Sequence, residues 1–312
     1  MRSNAHEEPS LGWTHGSSAA ASAAEQWTDE GPPSVHDRPI GSILTESKRL
    51  AAAQVQTVLD YQRKKGLRFG EAAVALKLVN EDDVLFALSQ QFHYPYAPHN
   101  RRDLSGELVA AVQPFGEQAE AFRALRSQLT MRQVVGGASG RALAVVSPER
   151  GEGRTFFAAN LAITLAQLGG TTLLIDGDLR GPRLHKVFSI GDVEGLSSAL
   201  NGRQQANVIH QVPDLKSLFV LPVGVTPPNP LELLERPAFG RLLNELIAKF
   251  DNVIVDTPAA QRGSDAGVIA SRCGAALIVG RRHQSRMDAL HKLVGSLTEG
   301  RAQLAGLVMN EY

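Results

Sequence analysis

One cysteine, Cys273, stands among 312 residues. No disulfide can close within the chain, which excludes a small secreted scaffold held by cross-links and points to a reducing compartment. The expected place of Cys273 is the interior, as a small apolar side chain. Long hydrophobic runs are also missing: no stretch approaches the ~20 apolar residues of a spanning helix, and the N-terminus lacks the apolar centre of a signal peptide. Neither sign of charge is in excess, with 32 basic and 32 acidic residues, so electrostatics give no case for nucleic acid or an anionic membrane as partner. The nine histidines show no pairing with cysteine at ligand spacing, so no histidine–cysteine metal site is expected. What remains is a cytosolic globular chain, 43% hydrophobic and long enough for about two domains.

Four regions follow from composition and periodicity. Residues 1–36 are rich in Ser, Ala, Glu, Gly and Pro, carry little aliphatic bulk, and are expected to stay disordered. Trp13 and Trp27 there are incidental aromatics or short docking points. Residues 37–98 turn helical and contain a diverged repeat. Setting Gly41 over Gly70 aligns Ile40 with Phe69, Leu50 with Val79, Val55 with Val84, Leu59 with Leu88 and Gln62 with Gln91. Two such short units cannot bury their apolar faces alone and are expected to pack on each other as one small all-helical domain. The arrangement resembles the N-terminal domain of type II secretion and pilus ATPases, some of which bind cyclic di-GMP. That resemblance would make Arg38, Gly41, Arg68 and Gly70 the dinucleotide residues, although Leu44 in the first copy faces Ala73 in the second. A plain protein-docking domain is the alternative. Residues 99–118, with Arg101-Arg102-Asp103 and Pro114, read as a linker.

From 119 to 312 apolar runs alternate with helical patterns, the mark of an α/β domain whose mostly parallel sheet carries helices on both faces. Strands are expected near 142–147, 171–176, 217–222, 252–256, 275–280 and 303–309. Asn229 and Pro230 read as an N-cap and first-turn pair opening a helix at 231–235.

The chemistry concentrates where the first strand ends. Val146 to Thr155 reads V-S-P-E-R-G-E-G-R-T, a glycine-rich turn into a helix start that gathers backbone N–H groups and the positive dipole end, which suits a polyphosphate. The match to a P-loop is imperfect, with Pro148 where the first glycine belongs and Arg154 where the lysine belongs. Taken alone, the turn could be an ordinary βα connection. Two further strands change the reading, because T-T-L-L-I-D-G-D ends on Asp176 and Asp178 and N-V-I-V-D-T-P places Asp256 at another tip. In a parallel sheet these tips lie together beside the loop, so all three carboxylates can face a phosphate-bound metal.

Residues 119–312 resemble the bacterial tyrosine kinases of polysaccharide-export systems, a branch of the P-loop group that includes the cell-division and partition ATPases. The resemblance rests on E-A-F-R-A-L-R (120–126), S-P-E-R-G-E-G-R-T (147–155), L-L-I-D-G-D-L-R-G-P-R (173–183), G-L-S-S-A-L-N-G (195–202), L-P-V-G-V-T-P-P-N-P-L-E-L-L (221–234) and V-I-V-D-T-P (253–258). It is nearest to the stand-alone chain-length-determinant type of exopolysaccharide operons.

The resemblance implies ATP and Mg²⁺, with Gly151, Glu152, Gly153, Arg154, Thr155 and Phe156 cradling the nucleotide and Asn310 on its base. Thr155, Asp176 and Asp256 would hold the metal, Asp176 would meet an incoming tyrosine hydroxyl, Asp178 would be a secondary contact, and Arg154 would do the lysine's phosphate work. Glu120, Arg123 and Arg126 lie on one helical face; in the family that motif mediates contacts in a ring that feeds one subunit's tyrosine tail to its neighbour. Family members usually end in a tyrosine cluster, whereas here four tyrosines occur in all and Tyr312 alone ends the chain, as the candidate phosphoacceptor. The implied function is a cytosolic protein-tyrosine autokinase that regulates exopolysaccharide chain length or export. It would be recruited to the inner face of the plasma membrane by the cytoplasmic tail of a membrane co-polymerase. The alternative is a nucleotide-switched oligomeric adaptor that binds ATP and transfers phosphate poorly; a partition-type ATPase is a more distant option.

Overall fold

The computed structural model describes residues 38–91, 104–136, 140–191, 193–202, 208–213 and 215–311. Trp13, Trp27, Arg101 to Asp103 and the candidate phosphoacceptor Tyr312 lie outside the described residues.

The helical unit contains α1 (Ile40–Glu46), α2 (Ala52–Lys65), α3 (Phe69–Ala75) and α4 (Glu81–Gln91). Setting Gly41 over Gly70 superposes both ends of α1 on those of α3 and the start of α2 on that of α4. It also places Lys48 on Lys77, which share a left-handed backbone at φ 58° and 55°. Each unit turns with the same hydrogen bonds: Lys48 N–H donates to Thr45 O and Arg49 N–H to Leu44 O, as Lys77 N–H does to Val74 O and Leu78 N–H to Ala73 O. The halves interlock, α1 against α4 and α2 against α3, over a shared core that includes Leu44, Leu50, Val58, Ala73, Val79 and Ala87. The repeat glycines permit this approach. A methyl at Gly41 would lie 3.0 Å from Phe69 Cζ, and one at Gly70 would lie 2.5 Å from Val84 Cγ1. Arg38 is paired with Glu46 at 3.2 Å and Arg68 is exposed. Packing accounts for both glycines, and the cyclic dinucleotide expectation gains no support from these four residues.

The larger unit is a seven-stranded sheet of β1 (Ala142–Val146), β2 (Thr172–Asp176), β3 (His210–Val212), β4 (Leu215–Leu221), β5 (Asn252–Asp256), β6 (Gly274–Arg281) and β7 (Gln303–Asn310). Its order is β3-β4-β2-β5-β1-β6-β7. Every pairing is parallel except β3 with β4. The three-residue β3, too short to show a period, was not expected from the sequence.

Alternation along the strands builds two helical layers. Leu143 and Val145 of β1 face one layer, with α5 (Val109–Val112), α6 (Glu117–Met131) and α7 (Arg154–Ala166). Ala142, Ala144 and Val146 face the other, with α11 (Pro237–Lys249), α12 (Asp265–Cys273) and α13 (Met287–Glu299). The short α8 (Leu184–Val187), α9 (Leu196–Leu200) and α10 (Pro230–Glu235) complete the fold. Cys273 is buried in the second layer, and burial pushes its thiol far above the ordinary range.

Two expectations are corrected. The linker reading fails for part of its length: Leu108 to Ala111 are buried in the first layer, where Ala110 N–H donates to Asn160 Oδ1 at 2.9 Å and Gln167 Nε2 to Ala110 O at 2.9 Å. Short alanine- and valine-rich stretches carry too little period to show that they are covered. At α10, Asn229 occupies the N-cap position but makes no side-chain capping bond, so the helix start rests on Pro230.

Candidate functional site

The site forms because the parallel register brings the acidic strand tips level. Asp176 and Asp256 are Cα partners across β2 and β5, and Asp256 in turn pairs with Val145 of β1. Gly177 lets the tips close, because a methyl there would lie 2.6 Å from Asp256 O. Its N–H donates to that same carbonyl at 2.8 Å.

Above the tips, the turn after β1 runs into α7. Gly151 and Gly153 hold φ of 84° and 94°, the left-handed region that only glycine enters at little cost. Gly153 is the N-cap and supplies no capping side chain, so the first N–H groups of α7 are left for an anion. The turn is tied from below. Glu152 is buried, accepting from Glu149 N–H at 2.7 Å and from the Ser285 hydroxyl, while Asn310 Nδ2 donates to Glu152 O at 3.2 Å. Of the expected cradle, then, Glu152 turns its carboxylate inward and offers the mouth only backbone, and Asn310 braces the turn. Phe156 packs edge-on against Phe122, centroids 5.7 Å apart.

Thr155 and Asp256 make the central contact: the threonine hydroxyl donates to Asp256 Oδ2 at 2.6 Å. Asp256 Oδ1 is buried with no hydrogen-bond partner. An orphaned buried carboxylate oxygen beside a hydroxyl is a hard-oxygen donor set, and these residues fit magnesium.

Asp176 is fully buried. Its Oδ2 accepts from Arg183 N–H and Leu184 N–H, each at 3.0 Å, and its Oδ1 from Asp178 N–H at 3.2 Å. Asp178 is half-buried, accepts from Gly181 N–H at 2.9 Å, and lines a cleft of about 240 Å³ with Thr155, Gly151 and Gly153. The carboxylate at the surface of the cleft is thus Asp178, expected only as a secondary contact. Asp176, expected to meet a hydroxyl, is enclosed.

Arg154 is 8% exposed and folds back into the protein. Its Nε donates to Thr257 O at 2.8 Å and its Nη1 to Glu149 O at 2.9 Å and to Ser147 Oγ. Burial lowers its pKa against the pull of Asp256 and Asp178. It cannot extend toward a phosphate as a lysine would without giving up these bonds.

Both buried carboxyls are held above the ordinary range. Burial, then repulsion from Asp256, raises Asp176 to about 8. Burial raises Asp256 to about 6, against the Thr155 hydrogen bond and the Arg154 charge. Folding therefore shifts both groups toward the protonated form relative to the unfolded chain. The stability these groups contribute is full below about pH 4 and is lost as pH rises through about 6 to 8. Magnesium needs the carboxylates, so Mg–nucleotide binding at pH 6.5 is expected to release protons and to tighten as pH rises. Calorimetry in buffers of different ionisation enthalpy checks this, and a binding heat independent of buffer would refute it.

The expected interface residues have partners within the chain. Arg123 bonds Glu120 Oε2 through Nη2 at 2.6 Å and Pro114 O at 2.6 Å, and Arg126 Nη1 donates to Thr164 O at 2.8 Å. Glu120 is 70% exposed.

No protein-family model matches the chain. The tyrosine-protein kinase YwqD of Bacillus subtilis is 31% identical over 203 residues, which are 65% of this chain and 85% of that protein. The tyrosine-protein kinase wzc of Salmonella typhimurium is 29% identical over 210 residues, 67% of this chain but 29% of that longer one. The kinase domain of the Escherichia coli tyrosine kinase ETK superposes with a TM-score of 0.63 at 30% identity, covering 68% of this chain and 82% of that one.

Proposed function

Because the chain belongs to the family of bacterial tyrosine-protein kinases, we propose that it is an ATP-dependent protein-tyrosine autokinase controlling exopolysaccharide chain length or export. One observation carries the reading: the Thr155 hydroxyl sits on Asp256, whose other oxygen is buried and unpartnered, below a glycine turn with open N–H groups. Thr155, Asp256 and Asp176 would hold magnesium, which when bound neutralises phosphate charge. The N–H groups of 151–155 take the phosphates and fix the terminal one toward the cleft. Asp178, facing that cleft, accepts the proton as the tyrosine oxygen bonds to the terminal phosphorus and the bond to the ADP oxygen breaks. Asp176 holds the turn that carries Asp178 by accepting from three of its N–H groups.

The same kinase segment occurs in a chain of which it is 29% and in one of which it is 85%. That contrast supports a membrane co-polymerase as a separate partner here, whose cytoplasmic tail recruits a cytosolic kinase to the membrane. Among the described residues no helix is long and apolar enough to cross a membrane. Tyr312 is the proposed acceptor, reached in trans in a ring to which Glu120, Arg123 and Arg126 contribute. Residues 37–98 are proposed as a docking domain.

Purified full-length protein with γ-labelled ATP and Mg²⁺, alone and with the partner's tail, is expected to label Tyr312. Tight ATP binding without transfer in both conditions would select the nucleotide-switched adaptor instead.

A further inference from the structure

A phosphoryl group in flight spreads negative charge over its oxygens, and a cation placed on it contributes about 10³–10⁵ to the rate. In this fold the residue before Thr155 is the expected source, but Arg154 has its Nε and Nη1 committed to Thr257 O, Glu149 O and Ser147 Oγ. Three other arginines line the same cleft: Arg150, Arg183 and Arg262. Arg183 is paired with Glu107. Arg262 is exposed and enters no ion pair or side-chain hydrogen bond among the described residues. A long, flexible cation left unpaired at the mouth of an anion site is placed to receive the anion.

The backbone shows why Arg262 rather than Arg150. Arg262 closes a 3₁₀ turn, Ala260–Arg262, that begins four residues beyond Asp256. The turn is bonded to the start of the phosphate loop: Ala260 N–H donates to Ser147 O and Gln261 N–H to Pro148 O, each at 3.0 Å. It is therefore registered against both the metal-side carboxylate and the loop. Its side chain reaches the rim that carries Asp178, since a methyl built on Gly181 would lie 3.2 Å from Arg262 Nη1 and 3.8 Å from Asp178 Oδ2. Arg262 is close enough to Arg154 to depress that residue's pKa by repulsion. Arg150 is exposed and lies ahead of the first glycine of the turn, with no such link to the Asp178 rim.

We propose that Arg262 contacts the terminal phosphate of the bound nucleoside triphosphate and neutralises the charge that develops as that group is transferred. The inference rests on the kinase reading above and adds to it a residue that the loop pattern does not supply. A diphosphate leaves Arg262 without a ligand, so the residue also distinguishes ATP from ADP.

The test is calorimetric titration of the full chain with Mg–ATP and Mg–ADP, beside the labelling assay, for the unaltered protein, Arg262→Ala, Arg262→Lys and Arg150→Ala. The expected result is that Arg262→Ala weakens ATP binding by about tenfold or more, leaves ADP binding within about twofold, and slows labelling by about 10²–10³. Arg262→Lys restores part of the ATP preference and Arg150→Ala leaves it unchanged. An Arg262→Ala protein that keeps both the ATP preference and the labelling rate overturns the inference and leaves the kinase reading standing, as does loss of the preference in Arg150→Ala alone. An unaltered chain that binds neither nucleotide overturns both. Arg262 is exposed and its turn is held by backbone bonds, and matching thermal unfolding of the variants serves as the folding control.

Discussion

Asp178→Asn is expected to slow tyrosine labelling by about 10²–10⁴, the usual contribution of a positioned general base, while leaving Mg–nucleotide affinity within about threefold. The reason is local. The asparagine oxygen can still accept from Gly181 and Arg180 N–H, as Asp178 Oδ1 does at 2.9 and 3.2 Å, so the turn keeps its shape and loses only its proton acceptor. Asp176→Ala should behave differently. It strips the acceptor from Asp178, Arg183 and Leu184 N–H, and each buried donor left unpaired costs about 1–3 kcal/mol. Thermal unfolding should therefore shift down along with activity, and nucleotide affinity should fall as the turn loosens. Measuring labelling, affinity and unfolding temperature on both variants separates the roles. Full labelling by Asp178→Asn, with labelling abolished in a normally stable Asp176→Asn, would return the proton-accepting role to Asp176.

Gly153→Ala is expected to weaken ATP and ADP alike by more than about tenfold and to lower the unfolding temperature by several degrees. At φ 94° an L side chain costs about 1–2 kcal/mol. The added methyl would also lie 2.3 Å from Asn310 Nδ2, displacing the side chain that braces the turn through Glu152 O. Gly169→Ala is the matched control. It has a similar φ of 92° and open space around the added methyl, and it follows the far end of the same helix. Gly169→Ala should lower stability and leave affinity unchanged. Equal affinity losses in the two variants would show that backbone strain alone is responsible and that the contact between Asn310 and the turn is immaterial.

The helical repeat was legible because it is a statement about period: the Gly41-over-Gly70 alignment places helix ends, left-handed lysines and turn hydrogen bonds in register. The six longer strands were legible for a related reason, since each carries a run of three or more consecutive apolar residues between helical patterns, and in β2 and β5 that run ends on a carboxylate. Residues 108–111 were misread because a short covered segment has neither the length for a period nor a charge pattern to betray its cover.

Sequence by itself marked the candidates for the chemistry: the glycine turn, Thr155 and the three aspartates at or just beyond strand tips, each following an apolar run. Only the tertiary structure decided which of them are enclosed and which face the cleft. Strand register buries Asp176 against backbone N–H groups and leaves Asp178 at the cleft. The fold delivers the Thr257 and Glu149 carbonyls and the Ser147 hydroxyl to Arg154 and places Arg262 at the rim. Spacing along a chain records proximity in number; the direction of a side chain and the competition for its donors are set by what the folded neighbours offer.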